Sequence, residues 1–355
     1  MKKIAIIIPE LARPGGAEKV AFDLMQEFNR RNYAVTVIRF DKLDSGETAY
    51  EVQGEDKHLN IPNRQGGVWV QMHLLLLRAW CFWRIFHKEK FDHIFSFLEA
   101  ANIPCAIASS KSVLSVHLDP NTMTRKIWLA MTLLYPRAKR VVAVSQQMRV
   151  SLEQRAKLNN VKCIYNPIDI QLIQQKATMP IMSITRKFIL GVGRLESQKR
   201  FDRLITAYAN TRLKQECDLI LVGSGSQANH LRKQIQELGL DDKILLIGFD
   251  DNPYKYMAKA QFQVMSSDYE GYPLVLIEAL SLGCPIISTD CPTGPREIIQ
   301  PYLNGLLVEL TSEALTQTMD QLYYDKVLLN QLRNNALASV SANHIQLIAD
   351  EWLAA

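Results

Sequence analysis

Two carboxylates in the second half of the chain have the spacing to hold a hydroxyl-rich ligand. Glu270 and Glu278 lie eight positions apart in SSDYEGYPLVLIEALSLG (266–283), on either side of Gly271 and Pro273. Pro273 suits the first turn of a helix, which places Glu270 in the preceding loop and Glu278 inside the helix. A carboxylate can accept two hydrogen bonds from a vicinal diol. The alternative is structural: Glu270 interacts with the helix dipole and Glu278 pairs with a buried cation.

Two cations upstream could bind the charged part of the same ligand. Arg194 and Lys199 follow a strand that ends at Gly193, and they precede a predicted helix. An anion could lie between these cations and the free backbone amides of the helix N-terminus. One acid for each sugar and two cations for a diphosphate together predict a nucleotide-sugar site. The alternative is that both cations are ordinary solvated loop residues.

The sequence contains no motif for a metal clamp on a diphosphate. No Asp-x-Asp occurs in the 355 residues, so we expect no metal site and no cofactor, with the nucleotide sugar as a co-substrate. Fixed cations and helix amides would then stabilise the negative charge that develops on the leaving diphosphate.

The elements that must position these side chains alternate between strands and helices. The run KIAIIIPE (3–10) is continuously apolar at its centre, which is typical of a strand buried on both faces of a parallel sheet. The pattern starts again at KFILGVGRL (187–195), after a linker-like segment, IYNPID (164–169). We therefore predict an α/β protein with two Rossmann-like, doubly wound domains that face each other across a cleft.

The domain boundaries follow from this repeat. We predict an N-terminal domain at residues 1–165, a C-terminal domain at 166–340, and a C-terminal helix at 341–355 that packs back on the first domain. Doubly wound sheets bind ligands beyond the carboxyl ends of their strands. Arg194, Lys199 and Glu270 lie at such ends in the second domain, as do Gly223 and Gly248.

Charge is distributed unevenly between the two halves. Residues 1–170 carry 24 Lys and Arg against 16 Asp and Glu, a net charge of +8, whereas the remainder carries −3. Two apolar, basic stretches lie in the first half, at 68–90 and 125–140; the first carries Arg78, Arg84, Lys88 and Lys90. Basic amphipathic helices predict contact with an anionic membrane surface. The alternative is that each helix faces the core of its own domain.

The cysteines and the lack of long apolar runs indicate a compartment. Six scattered cysteines without a Cys-x-x-Cys pair predict reduced, mostly buried thiols, and neither a zinc site nor a disulfide framework. No apolar run reaches the ~18 residues that a membrane span needs. We expect a cytoplasmic protein that is peripheral on the inner face of the plasma membrane and has no nucleic-acid partner.

Several segments resemble the retaining glycosyltransferases of family 4, which have the GT-B fold. They are PELARPGGAEKV, NPID, GVGRLESQKRFDRLI, LVGSGS, IGFDDN, SSDYEGYPLVLIEALSLGCPIISTDCPTGPREI and LNGLLV. The resemblance covers nearly the whole chain, and the two-glutamate segment with Arg and Lys upstream is its specific signature. The sequence is similar to bacterial members that extend lipid-linked or lipopolysaccharide glycans.

The resemblance implies a role for each residue of the donor site. Arg194 and Lys199 would bind the donor diphosphate and stabilise its charge as it leaves. Glu278 would hold the ribose diol, while Glu270 would contact the donor hexose as a positioning residue. The backbone amides that support hexose and phosphate would be those of Gly271, Tyr272, Leu274 and Val275.

The resemblance also implies contacts with the base and the acceptor. Gly248 and Phe249 would lie beside the base. Gly15 and Gly16 would form the loop beneath the phosphates and near the acceptor. His117 would face the donor sugar from across the cleft; relatives often carry a glutamate before this histidine, where this sequence has a valine.

The resemblance predicts a retaining glycosyltransferase. It would move a hexose or N-acetylhexosamine from a nucleotide sugar, with UDP expected as the nucleotide, to a lipid-linked, lipopolysaccharide or capsule glycan. In this family the leaving phosphate is thought to take the acceptor proton, with attack on the same face of the sugar. A non-catalytic sugar-nucleotide binding module would use the same residues.

An NAD(P)-dependent oxidoreductase is the alternative from another reaction class. Gly-x-Gly-x-x-Ala occurs at 223–228, between a predicted strand and a predicted helix, which is the right context. The first strand of that domain ends instead in GVGRLE, which breaks the dinucleotide-binding fingerprint.

Overall fold

The computed structural model describes residues 1–11, 15–40, 51–61, 67–181 and 184–355. The chain divides into two compact units: the first combines Met1–Pro167 with Ile345–Ala355, and the second is Ile168–His344. All six cysteines are free and four of them are buried, which confirms the prediction of mostly buried thiols. Within the described residues, no helix has the length and apolarity to cross a membrane.

The first unit is built, in its described ranges, around a parallel sheet of seven strands in the order β3-β2-β1-β4-β5-β6-β7. The strands are β1 (Lys3–Ile7), β2 (Ala34–Arg39), β3 (Glu55–His58), β4 (His93–Phe97), β5 (Ser112–Val116), β6 (Arg140–Ala143) and β7 (Val161–Cys163). The helices are α1 (Gly16–Arg30), α2 (Val68–Glu89), α3 (Glu99–Ala108), α4 (Arg125–Leu134) and α5 (Gln146–Arg155). The interior strand β1 is apolar and buried beyond its first residue, as a strand covered on both faces must be.

The second unit contains, among the described residues, a parallel sheet of six strands in the order β10-β9-β8-β11-β12-β13. The strands are β8 (Phe188–Val192), β9 (Asp218–Val222), β10 (Ile244–Gly248), β11 (Gln263–Met265), β12 (Ile286–Thr289) and β13 (Gly305–Val308). The helices are α6 (Ile170–Ala177), α7 (Phe201–Ala209), α8 (Ala228–Glu237), α9 (Tyr254–Met257), α10 (Leu274–Ser281), α11 (Pro295–Ile298), α12 (Ser312–Tyr324) and α13 (Lys326–Ser339). The predicted α/β class, with two Rossmann-like doubly wound domains, is confirmed.

The last helix, α14 (Ile345–Ala354), belongs to the first unit. Its Trp352 is 1% exposed, and its ring centroid lies 5.2 Å from the ring centroids of both Phe95 and Phe97 on β4. Arg31, which follows α1, pairs with Asp350. The residues of α14 therefore complete the apolar layer that covers the first sheet.

Two elements of the first unit carry little sequence signal. Strand β3 has the sequence EDKH and pairs with β2 at the edge of the sheet, where charged residues are tolerated because one edge faces solvent. Helix α3 contains Pro104, a residue that ordinarily ends or kinks a helix. Neither element is among those predicted from the sequence.

Candidate active site

The carboxyl ends of four neighbouring strands in the second unit carry most of the predicted site residues. The strand order reverses between β8 and β11: the chain continues from β8 to β9 on one side, whereas β11 lies on the other. In a doubly wound sheet this switch point opens a crevice that binds ligands. The segments that leave β8 and β11 bring Lys199 and Glu270 together there.

Lys199 and Glu270 form an ion pair, with 2.7 Å between Lys199 Nζ and Glu270 Oε1. The side chains of Lys199 and Glu270 are 15% and 8% exposed. The pair is therefore largely shielded from water, and its small exposed part is accessible to a ligand. The Ser267 hydroxyl donates to the same carboxylate oxygen at 2.6 Å. An ammonium has three N–H donors and can hold a carboxylate and a phosphate oxygen together.

Hydrogen bonds between the two loops fix the position of this pair. The Ser266 hydroxyl donates to the carbonyl oxygens of Lys199 and Arg200, both at 2.9 Å. The amide of Asp268 donates to the carbonyl of Gln198 at 2.9 Å. These bonds hold both side chains in place before any ligand arrives, which lowers the reorganisation that binding requires.

Arg203 ties the same loop to α7. Its guanidinium donates to the carbonyl of Ser266 at 2.9 Å and to Asp268 Oδ1 at 2.6 Å. The arginine is 8% exposed, so these bonds lie in a shielded environment. They add to the bonds that hold the loop that carries Glu270.

Helix α10 begins at Leu274, immediately after the loop that carries Glu270. Pro273 occupies the N-cap position, one residue before the first turn. The first amides of a helix have no intrahelical partner and attract negative charge. Gly294, with φ of +71°, packs beneath this turn: a Cβ there would lie 2.7 Å from Pro273 Cδ and 2.9 Å from the Gly271 carbonyl oxygen. Only a glycine permits this approach.

The remaining residues of the turn are positioned by packing. Tyr272 is 7% exposed and its hydroxyl accepts a hydrogen bond from Asn343 Nδ2 at 3.0 Å. Leu274 is buried and Val275 is half-buried. These side chains anchor the turn, and its backbone amides are the groups that it could offer to a ligand.

Glu278 lies inside α10 and is 4% exposed. The hydroxyl of Tyr254, on α9, donates to Glu278 Oε1 at 3.1 Å. The prediction left open whether a buried cation would hold this carboxylate; the bond described here comes from a neutral hydroxyl. The ribose diol that the prediction assigns to Glu278 stays a prediction.

Arg194, Gly223 and Gly248 lie at the carboxyl ends of β8, β9 and β10 and complete this edge of the sheet. Arg194 has an exposed side chain just beyond β8. Gly223, with φ of +150°, follows β9, and a Cβ there would lie 1.9 Å from the Gly193 carbonyl oxygen. The backbones that leave β8 and β9 therefore touch directly. Gly248 ends β10 with φ of +85°, and the following Phe249 is 57% exposed.

The site residues predicted in the first unit lie at the carboxyl ends of β1 and β5. Gly15 is the N-cap of α1, and Gly16 is its first residue. His117 follows β5, with its Nε2 2.9 Å from Ser115 Oγ. Desolvation lowers the pKa of His117 to about 4, so this imidazole is neutral at pH 7 and can exchange hydrogen bonds without carrying charge.

Comparison with known proteins identifies the family. Residues 14–172 match the profile "Glycosyltransferase Family 4", and residues 181–338 match "Glycosyl transferases group 1". A Campylobacter jejuni protein is 32% identical over 360 residues, covering 96% of each chain. The chain belongs to glycosyltransferase family 4. The Campylobacter protein is named N-acetylgalactosamine-N,N'-diacetylbacillosaminyl-diphospho-undecaprenol 4-alpha-N-acetylgalactosaminyltransferase.

Other similar proteins agree with this family. The glycosyltransferase AmsD of amylovoran biosynthesis, from Erwinia amylovora, is 26% identical over 368 residues, covering 99% of each chain. The crystal structure of Anabaena Alr3699/HepE with UDP and glucose superposes with a TM-score of 0.80 at 22% identity, covering 99% and 98% of the chains. The structural likeness confirms the GT-B fold of this family 4 glycosyltransferase, and its relatives act in bacterial glycan assembly.

The structure of the glycosyltransferase adds residues that sequence reasoning missed. Ser267 and Tyr254 each donate to one of the two glutamates. Glu99, the first residue of α3, lies just past the carboxyl end of β4 and is 6% exposed. Burial raises its pKa to about 7, and no donor among the described residues reaches its Oε1. The available signal was positional: Ser267 ends the predicted strand QFQVMSS (261–267), and Glu99 directly follows the predicted strand FDHIFSFL (91–98).

Proposed function

We propose that this glycosyltransferase is a retaining, metal-independent enzyme that uses a UDP-sugar. It moves a hexose or N-acetylhexosamine to a lipid-linked, lipopolysaccharide or capsule glycan. The observation that carries the proposal is the Lys199–Glu270 pair at the switch point, with 2.7 Å between its charged atoms and the first turn of α10 beside it. A cation, an acid and helix amides in one crevice match the diphosphate and the sugar of such a donor.

In this proposal, the donor is bound along the edge formed by β10, β9, β8 and β11. The base lies beside Gly248 and Phe249, and Glu278 accepts hydrogen bonds from the ribose diol. The diphosphate lies between Arg194, Lys199 and the amides of α10. Glu270 binds hydroxyls of the hexose, because its second oxygen can accept while the first is paired with Lys199.

The reaction breaks the bond between the anomeric carbon and the leaving phosphate oxygen. A bond to the acceptor oxygen forms on the same face, and the acceptor proton passes to the departing phosphate. The charge that develops on the phosphate is stabilised by Lys199, Arg194 and the helix amides, an effect worth about 2–4 kcal/mol for each such group. Because these groups already carry the compensating positive charge, the reaction needs no metal ion.

The acceptor is bound by the first unit in this proposal. The groups of the first unit that meet the substrate in this proposal are Gly15 and Gly16, at the start of α1, and His117, which is neutral at pH 7 and can hydrogen-bond a hydroxyl. The Campylobacter relative is named for an undecaprenol-linked acceptor, which supports a lipid-linked glycan here. Such an acceptor would bring the enzyme to the cytoplasmic face of the plasma membrane.

Two alternatives differ in what they predict. A non-catalytic binding module would retain UDP affinity without turnover. The oxidoreductase reading is excluded by membership of a glycosyltransferase family. In the Gly-x-Gly-x-x-Ala segment, Gly223 instead allows the backbone after β9 to lie close to the Gly193 carbonyl oxygen after β8.

The test is release of UDP from a panel of UDP-hexoses and UDP-N-acetylhexosamines, each with undecaprenyl-diphosphate-linked acceptors. GDP- and ADP-sugars serve as controls for the base, and NMR of the product reports its anomeric configuration. We expect one UDP-sugar to be consumed only when acceptor is present, with an α-linked product from an α-linked donor. UDP binding without turnover across the panel would favour the binding module, and inversion of the anomeric centre would refute the retaining mechanism.

A further inference from the structure

Helix α2 exposes an unusually apolar surface for a helix of a doubly wound domain. Of its 22 residues only four are buried. Among the exposed ones, Trp69, Met72, Leu76, Trp80 and Trp83 follow one another at intervals of three or four residues, so they share one face of the helix. We call these five residues the tryptophan stripe. They are between 47% and 84% exposed.

The tryptophan stripe is distinct from the face of α2 that packs on the domain. The buried residues of α2 are Arg78, Ala79, Phe82 and Phe86. Arg78 is 6% exposed, and its guanidinium lies over the Phe40 ring, 4.1 Å from the centroid. The sequence predicts Arg78 among the cations that would face a membrane, but in the structure this arginine belongs to the core. Within the described ranges, the stripe is left open to solvent.

Cations flank the stripe, and acids do not. Arg84, Lys88 and Lys90 are exposed at the C-terminal end of α2. Arg84 lies over the Trp80 ring, with 5.6 Å from the guanidinium carbon to the ring centroid. The one acidic residue of α2 is Glu89, and it pairs with Lys57. The helix thus presents indole rings beside positive charge, with no exposed negative charge of its own.

We propose that α2 lies in the interface of an anionic lipid bilayer, with the tryptophan stripe inserted among the headgroups and the three cations beside lipid phosphates. This rests on the proposed function, because a lipid-linked acceptor resides in a bilayer. Tryptophan prefers the headgroup region, since its ring is apolar and its N–H is polar. The helix lies in the plane of the membrane, because no helix among the described residues is long and apolar enough to span it.

Charge favours the membrane over a second copy of the chain. Two copies that met through this face would bring like charges together, because the exposed charges that α2 itself carries are all positive. An anionic surface attracts the same cations, and an insertion of indole rings requires no shape-complementary partner. Helix α4 adds two exposed leucines, Leu129 and Leu133, with exposed Arg125 and Lys126 in its first turn.

The intrinsic fluorescence of the protein can report this insertion directly. The chain has five tryptophans. The three on the stripe are exposed, whereas Trp128 and Trp352 are 9% and 1% exposed. Vesicles of phosphatidylcholine and phosphatidylglycerol in equal parts should shift the emission to shorter wavelength. The shift should disappear in the triple variant Trp69→Gln, Trp80→Gln, Trp83→Gln.

Vesicle sedimentation of the full-length protein measures the affinity. The triple tryptophan variant should bind these vesicles at least about tenfold more weakly. Replacing Arg84, Lys88 and Lys90 by Gln should lower binding about fivefold for each residue, and only to anionic vesicles. The matched controls are Val327→Gln, Leu337→Gln, Leu347→Gln and Arg232→Gln, Lys233→Gln, Lys259→Gln, which alter equally exposed residues elsewhere.

The outcomes separate this inference from the proposed function. All variants should keep UDP-dependent thermal stabilisation and transfer to a water-soluble, short-chain acceptor analogue. Loss of vesicle binding in the control variants, equal binding of the wild type to pure phosphatidylcholine, or dimerisation through the stripe in sedimentation velocity would each overturn the inference. Absence of transfer with every acceptor, alongside intact vesicle binding, would overturn the proposed function alone.

Discussion

Replacing Lys199 by alanine tests the central claim about the site. The structure gives Lys199 two contributions: it pairs with Glu270 at 2.7 Å, and it lies at the switch point where a diphosphate would bind. Loss of one preorganised charge that stabilises a leaving group costs about 3 kcal/mol in the transition state, or roughly 10²–10³-fold in kcat. We expect kcat to fall by that factor in the UDP-release assay.

The same substitution has a smaller effect on stability. Breaking a fully buried ion pair costs about 3–5 kcal/mol. Here the lysine is 15% exposed and Ser267 still donates to Glu270, so we expect about 1–2 kcal/mol, since water and the hydroxyl compensate part of the loss. Chemical denaturation should therefore show a folded protein whose activity has fallen far more than its stability.

The chain offers a matched control for this experiment. Lys255 and Asp250 form an ion pair in the same unit, also at 2.7 Å, with side chains 20% and 15% exposed. Lys255→Ala should cost similar stability while kcat stays within a few-fold of the wild type. The reasoning is refuted if folded Lys199→Ala turns over at the wild-type rate, or if both variants lose activity equally.

Three further predictions concern the ribose, the metal and pH. Glu278→Ala should raise the Kd for UDP about 10–100-fold, because two hydrogen bonds to a charged group are lost. Calorimetry measures this Kd, with Glu313→Ala on an exposed helix face as the control. Equal affinities of the two variants would contradict the ribose role of Glu278. Transfer should continue in EDTA; a loss that manganese restores would contradict the metal-independent reaction. Burial raises the pKa of Glu99 from 4.5 to about 7, so between these pH values the Glu99 carboxyl is protonated in the folded state and ionised in the unfolded state. The contribution of Glu99 to the free energy of unfolding is therefore complete below about pH 4.5 and is lost as the pH rises through about 7. Glu99→Gln should therefore stabilise the protein at pH 8 by up to about 3 kcal/mol and have little effect at pH 4.5, as denaturation at both values would show.

Elements with strong apolar periodicity could be predicted from the sequence. The sequences of β1 and its counterpart β8 are typical of buried parallel strands, and the structure places both in the interior of their sheets. Strand β3 could not be predicted, because EDKH lacks apolar residues and pairs only at an edge. Helix α3 could not be predicted, because Pro104 disfavours a helix at this position. The free energy that the proline costs is offset by the packing of this helix against the sheet.

The site could be predicted to the level of residue type and strand end. The carboxyl ends of β8 and β11 had to meet if the domain was doubly wound, so Lys199 and Glu270 could be expected in one crevice. Their direct pairing could not, because it depends on the loop bonds from Ser266 and Asp268. The burial of Arg78 was also missed, since periodicity alone did not show which face of α2 meets Phe40.

The attachment of α14 to the first unit has a consequence for how the protein is made. Trp352 rests against Phe95 and Phe97, yet about 250 residues of chain separate the partners, and the entire second unit is translated in between. On the ribosome, the second unit can mature while the first still exposes two aromatic rings. Trimming residues 345–354 should consequently harm the part of the molecule that begins the chain, and a solubility tag fused near α14 would interfere with it.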